Sequence, residues 1–406
     1  MAPVIRALAR LPRVEIQTCD TGQHREMSAP IMKWFGIRPR YRLGLMTANQ
    51  TLSGLMARAL VELDHLLVKC GPDIVVCQGD TTTAMATALA AFHRKIPVAH
   101  VEAGLRTGDR LQPWPEEINR CVVDLVADYY FAPTAGARDN LLAEGVDARR
   151  IWVTGNTAID ALVWTLRKLR STPLPATAWP QKVRALATHQ ASNSRPSRPF
   201  VLITAHRRES FGVGMRNIAT ALKQLAHSHP DIDWVFPVHL NPNVRDVMRA
   251  ALDSLPNVTL LEPLGYPQFC WLCARATLLL TDSGGVQEEM PSLGKPVLVM
   301  REVTERPEGV SAGIVRLVGA STASIVEHVS GLLTDPRALH RMSRKLDLYG
   351  DGRAAARIAG VLTCQPIGFP LAPVRKLGQT TGRHTTPNSR RADKHTLSLP
   401  PLPREQ

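Results

Sequence analysis

Four short stretches place charged or phosphate-friendly residues directly behind apolar runs, where open parallel α/β sheets bind their ligands. In "LLLTDSGGVQEE" (278–289) the apolar run ends and the chain turns through Asp282, Ser283, Gly284 and Gly285 into a helix expected to begin near Val286. Glycines allow close backbone approach, and the free N–H groups at a helix start, aided by its dipole, suit a phosphate. Glu288 and Glu289 follow within reach of sugar hydroxyls, since a carboxylate accepts two hydrogen bonds from a diol. Taken alone, the turn reads equally well as a capped helix with solvated glutamates.

The second stretch, "CQGDTTTAMATALAAF" (77–92), puts Asp80 at or near a helix N-cap, and capping is by itself the simpler role. In "HVEAGLRTGDRLQPWPEEINR" (100–120), Glu102 leaves a strand, a Gly-rich loop carries Arg106 and Asp109, and Pro115, Glu116 and Glu117 open a helix. Glutamates there answer the helix dipole, yet long irregular loops at strand ends tend to be functional. The fourth, "LITAHRRESFGVG" (202–214), sets His206, Arg207 and Arg208 behind a strand, able to neutralise a diphosphate and to move a proton; a solvated basic loop is the alternative. Together, one half supplies carboxylates and the other a phosphate cradle with cations. A nucleotide diphosphate sugar fits a cleft between them.

Positioning these turns requires parallel sheets. Strand-like runs at 14–19, 73–78, 97–101, 129–133 and 151–155 alternate with helical patterns, and a second set follows at 200–205, 233–238, 257–262, 276–281 and 296–300. The expected fold is therefore α/β, with two Rossmann-like doubly wound domains facing a cleft. "MAPVIRALARL" reads as an amphipathic helix leading into a strand, so the first strand of domain one is expected to be missing from this chain. The organisation expected is an N-terminal domain over 1–170 with the carboxylates, a linker over 171–199 with five prolines, and a nucleotide-binding domain over 200–345. A C-terminal helix over 346–364 would pack back on the N-terminal domain.

Composition limits the alternatives. Of the net charge of +14 on 406 residues, the tail 365–406 holds seven Lys/Arg against two Asp/Glu, with seven prolines, and reads as a disordered basic segment. No nucleic-acid motif accompanies the charge, and no apolar run reaches the roughly 20 residues that span a bilayer. The N-terminus lacks a signal-peptide pattern and the seven cysteines are scattered, so a cytoplasmic protein without nucleic-acid or membrane partners is expected. Cys270 and Cys273 form a lone C-x-x-C on a helical pattern, with no second pair to complete a metal site.

Across about residues 1–364 the chain resembles the non-hydrolysing UDP-N-acetylglucosamine 2-epimerases, which interconvert UDP-GlcNAc and UDP-ManNAc. The resemblance runs through "TGQHREM" (21–27), "GDTTT" (79–83), "HVEAGLRTGD" (100–109), "PWPEEINR" (113–120), "TGNTAIDAL" (154–162), "HRRESFG" (206–212), "PVHLNPNV" (237–244), "TDSGGVQEE" (281–289), "LGKPVLVMR" (293–301), "TERPE" (304–308) and "YGDG" (349–352). It implies a GT-B type two-domain fold, no metal or redox cofactor, and a homodimer. It further implies acid/base work for Asp80, Glu102 and Glu116 and places His206 near the diphosphate. Ser283, Gly284 and Gly285 would hold phosphate, Glu289 the ribose and Phe269 the uracil region, with Arg306 a further nucleotide contact and Arg106 and Arg207 lining the substrate. A second UDP-GlcNAc acting as activator would lie near Gln23, Arg25, Arg208 and His239. The family's N-terminal strand and "GTRPE"-like loop have no counterpart here, and Leu264 stands where many relatives are polar.

The implied chemistry explains the inventory. The C2 proton of the sugar is a weak acid, whereas UDP leaves readily, so anti elimination to 2-acetamidoglucal and re-addition of UDP is the accessible route. It needs a base, an acid, and cations at the departing diphosphate. Clustered carboxylates raise one another's pKa values, so one can hold a proton. The competing readings are a GT-B glycosyltransferase or hydrolysing epimerase, and a truncated, inactive nucleotide-sugar-binding protein.

Overall fold

Along Phe200–Thr204 alternate side chains leave opposite faces: Phe200 and Leu202 enter one buried cluster, Val201 and Ile203 another. A strand apolar on both faces belongs in a sheet covered twice, as parallel sheets with helices on either side are. The computed structural model describes residues 1–23, 25–47, 50–188 and 198–364, with side chains at 25–27, 185–188, 208 and 364 outside that description. The tail expectation for 365–406 therefore lies outside the described residues.

Numbered along the chain, the strands are β1 (Cys19–Asp20), β2 (Tyr41–Arg42), β3 (Val75–Gln78), β4 (Val98–Val101), β5 (Tyr129–Ala132), β6 (Ile151–Val153), β7 (Phe200–Thr204), β8 (Asp233–Pro237), β9 (Val258–Leu261), β10 (Leu278–Thr281), β11 (Val297–Val299) and β12 (Val315–Leu317). All pairings among them are parallel. The second half carries a six-stranded sheet ordered β12-β11-β10-β7-β8-β9, whose order reverses between β7 and β10. That is the doubly wound pattern. The first half carries β3-β4-β5-β6, with β1-β2 as a separate pair. Val98 and Tyr130 pack into one cluster of this half, and Ala99, Val101, Tyr129 and Phe131 into another.

β3 ends its sheet, and beyond it runs a groove of about 350 Å³ lined by Met1, Cys19, Tyr41, Val76 and Gln78. The expected helix is present as Ala2–Leu8, with Val4 in the same cluster as Ala355 and Ile358 of the helix Ala354–Cys364. The latter helix thus packs on the N-terminal sheet, and Asp160 seals its start by accepting from Ala354 and Ala355 N–H at 3.1 and 2.9 Å.

The strand reading differs from the structure in two respects. The strand expected over 14–19 reduces to Cys19–Asp20, because the Thr18 carbonyl takes both Arg40 and Tyr41 N–H and the ladder starts only after it. β2 and β12 had no anticipated counterpart; they are two and three residues long, too short for periodicity to register. Within the expected linker, Gln181–Thr188 is helical. No described helix is long and apolar enough to cross a membrane.

Candidate active site

The reversal of strand order opens a crevice at the carboxyl ends of β7 and β10, where doubly wound sheets take ligands. Asp282, fully buried behind β10, closes its floor: Oδ2 accepts from the backbone N–H of His206 at 2.6 Å and of Arg207 at 2.7 Å, and Oδ1 lies 2.9 Å from His206 Nδ1. Burial would raise this carboxyl, but the His206 ring and the two N–H groups outweigh it and hold its pKa below the ordinary value. With Nδ1 facing the carboxylate, Nε2 of His206 is the nitrogen left for a ligand, on a side chain 40% exposed. Arg207 brings a buried Nε without a hydrogen-bond partner among the described residues, a donor that an anion would satisfy. His239 stacks its ring on His206, centroids 6.0 Å apart.

The helix after β10 is Gly284–Glu289, two residues earlier than expected, with Ser283 at its N-cap. A Cβ on Gly284 would stand 2.8 Å from Cζ of Arg306, so the guanidinium lies directly against the bare glycine. A Cβ on Gly285 would meet nothing within 4 Å. Arg306 is fixed by Glu288, Nε to Oε1 at 2.7 Å, and by Glu305, Nη1 to Oε2 at 3.0 Å. Glu289 is pushed up to about 8 by burial and then by Glu288 beside it. Phe269, half-buried, packs on the cluster beneath β7 and β10 from the helix Tyr266–Arg275.

Across the crevice stand the strand-end carboxylates of the first half. Glu102 has φ +73°, a left-handed conformation uncommon outside glycine and typical of functional sites. Its Oε2 accepts from Gln78 Nε2 at 3.2 Å, and its charge is felt by Glu288 and Arg306 of the other half. Asp80 does not cap the helix it precedes. Thr81 does, accepting from Ala84 N–H at 3.2 Å, while Asp80 pairs with Arg120 and its carbonyl takes Asn119 Nδ2 at 2.8 Å. A threonine one residue nearer the first turn satisfies the orphan N–H and frees the aspartate.

Glu116, half-buried, is the first residue of Glu116–Val126. Glu117 is buried and accepts from Thr107 and Gly108 N–H at 2.9 and 3.1 Å, which ties the loop down. Arg106 is engaged by the protein, with both Glu144 oxygens at 2.7 Å and Asp124 at 2.8 Å. Asp124 also takes His100 Nδ1 at 2.6 Å, so Arg106 belongs to a buried strut beneath the loop. Gln23 accepts from Thr83 Oγ1 at 2.6 Å; the side chains of Arg25 and Arg208 lie outside the described residues.

Sequence reasoning assigned no role to three participants. Arg120 was legible as the i+3 partner of Glu117, Asp282 as the acid before the diglycine, and Asn156 within "TGNTAID". Asn156 caps the helix Thr157–Ser171 through Oδ1, and its Nδ2 donates to Glu288 Oε2 at 2.5 Å, joining the two halves at the crevice.

The sequence model of a family described as UDP-N-acetylglucosamine 2-epimerase matches residues 6–363. The UDP-N-acetylglucosamine 2-epimerase of Escherichia coli K12 is 49% identical over 362 residues, covering 89% of this chain and 94% of that protein. The crystal structure of the Neisseria meningitidis UDP-GlcNAc 2-epimerase bound to UDP-GlcNAc superposes with a TM-score of 0.82 at 42% identity, covering 90% of this chain and 96% of that one. MurG from Acinetobacter baumannii, at 13% identity and a TM-score of 0.53, shares the fold alone. The two facing sheets are thus of GT-B type, and the chain belongs to the UDP-N-acetylglucosamine 2-epimerases, a family of isomerases.

Proposed function

We propose that this chain interconverts UDP-GlcNAc and UDP-ManNAc at C2 of the sugar. The observation that carries this reading is that strand-end carboxylates of one sheet and the diglycine turn of the other share one crevice, joined by Asn156 and Glu288. The two sides do different work. UDP would lie with its diphosphate over Gly284 and Gly285, beside Arg207 and Arg306, and with its ribose at Glu289. The sugar would then reach toward Glu102, Asp80 and Glu116.

In the forward direction a carboxylate takes the C2 proton, the C2–H electron pair forms the C1=C2 double bond, and the C1–O pair leaves on the β-phosphate of UDP. The product in the crevice is 2-acetamidoglucal. Returning a proton to the opposite face of C2 while the phosphate oxygen re-forms the bond at C1 inverts C2 alone. His206, oriented by Asp282, and Arg207 and Arg306 stabilise the departing charge, an effect worth about 10²–10³ per donor in rate. Re-addition requires that UDP not escape, which two half-sites closing over it provide.

The reading extends to a cytoplasmic homodimer supplying a ManNAc-type sugar for a surface polysaccharide, with a second UDP-GlcNAc as activator near Gln23, Arg25, Arg208 and His239. Incubation with UDP-GlcNAc in D₂O, followed by NMR, tests the central claim. UDP-ManNAc carrying deuterium at C2 is the expected product. Free ManNAc with UDP would mean hydrolysis, and turnover only after an acceptor is added would mean transfer.

A further inference from the structure

Glu288 has no place in the steps above, yet it is 5% exposed and sits where the two halves meet. Both of its partners are donors only. Oε1 takes Arg306 Nε–H at 2.7 Å and Oε2 takes Asn156 Nδ2–H at 2.5 Å. The Asn156 amide cannot turn round to offer an acceptor, because Oδ1 is committed to Ala158 N–H at 2.8 Å as a helix cap. Asn156 is also fixed from behind, its own N–H donating to the Tyr349 carbonyl at 2.6 Å. Arg306, in turn, is flush against Gly284. The carboxylate therefore sets the separation between the diglycine turn of one sheet and the helix cap at the end of β6 in the other.

We infer that Glu288 is the positioning residue of the reaction, its ionised carboxylate holding Arg306 and Asn156 so that the phosphate-binding half and the proton-transferring half meet in register. The assignment of a reaction to this crevice rests on the proposed function; the bridge itself does not. The ionised form meets both donors with full negative charge, whereas a proton on the carboxyl removes the ion pair with Arg306 and weakens both contacts. The charged and titratable groups facing Glu288 are Arg306, Glu102, Glu308, Glu289 and the neutral Tyr349 hydroxyl. Burial raises its pKa most, Arg306 opposes, and Glu102 and Glu308 add to the rise, to about 7. The bridge is then strengthened as pH rises through neutrality and weakened below it.

The test is Glu288→Gln, whose amide oxygen can accept from one partner while its NH₂ meets the other's donor. For the purified chain, kcat is expected to fall about 100-fold, the loss typical of an ångström of misplacement. The acid limb of wild-type kcat near pH 7 should disappear in the variant. Wild-type kcat and an unchanged pH profile in a folded Glu288→Gln protein would overturn the inference. Should that variant melt early, Asn156→Ser keeps a capping hydroxyl but is too short to reach Glu288, and must lose kcat alike; full activity in it would overturn the inference too. Small-angle scattering with saturating UDP gives a readout independent of turnover. A larger radius of gyration for Glu288→Gln than for wild type supports the bridge, and superimposable curves refute it, even if wild type forms no UDP-ManNAc and the proposed function fails.

Discussion

Two adjacent glycines with opposite surroundings allow the ligand site to be separated from the fold. At Gly285 an added methyl meets nothing within 4 Å, so Gly285→Ala adds no clash and replaces a poor helix former with a good one. The expected stability change is a gain of no more than about 1 kcal/mol, and for a chain this size, at roughly 2 cal/mol/K of unfolding entropy per residue, that is a Tm shift of about 1 °C. If the diphosphate lies on this turn, the same methyl stands where a phosphate oxygen must approach. Losing one charged hydrogen bond is worth about 1.5–3 kcal/mol, or about 10–150-fold in the Kd for UDP. Gly284→Ala behaves differently, because its methyl would lie 2.8 Å from Arg306 Cζ and the guanidinium must retreat from Glu288. It should lower stability by about 1.5–3 kcal/mol as well as weakening UDP. Calorimetric titration with UDP and thermal melts of both variants measure the two quantities. Wild-type UDP affinity in Gly285→Ala would refute the placement of the phosphates.

Three further outcomes follow from the geometry. Asp282→Asn can still accept from His206 and Arg207 N–H, but it turns an NH₂ toward His206 Nδ1 and imposes the other tautomer; kcat should fall about 10²-fold or more while thermal melts show the fold retained. Glu102→Gln should abolish C2 deuterium exchange from D₂O and leave UDP binding within about threefold, since its hydrogen bond from Gln78 survives as an amide contact; retained exchange would exclude Glu102 as a proton-transfer group. Glu289 has a folded pKa raised to about 8 from 4.5, so the fold is favoured with this carboxyl protonated, and that contribution is lost as pH climbs from about 4.5 through 8. Glu289→Gln should therefore flatten the decline of Tm between pH 6 and 9, and parallel profiles for variant and wild type would contradict it.

What the sequence determined by itself was the alternation of apolar strands and helices, and with it the list of turns at which chemistry is available. Strands such as 129–133 and 200–205 were legible because a strand buried on both faces must be apolar throughout, a property local to the residues. Fold type and family were legible for a similar reason: "GDTTT", "HVEAGLRTGD" and "TDSGGVQEE" each carry a turn and its side chains within a few residues. Which side chains face the crevice was decided only by the tertiary structure. Glu116 and Glu117 are neighbours of one type, but a helix turns by about 100° per residue, so Glu117 goes inward to Thr107 and Gly108 while Glu116 stays half-buried at the helix start. Arg106 and Arg306 are alike in sequence; Asp124 and Glu144 engage one, and Glu288 sets the other against a bare glycine. Asn156 and Glu288 lie 132 positions apart. Nothing along the chain couples them, because a hydrogen bond between the two halves depends on how their sheets face each other, which no local stretch of sequence specifies.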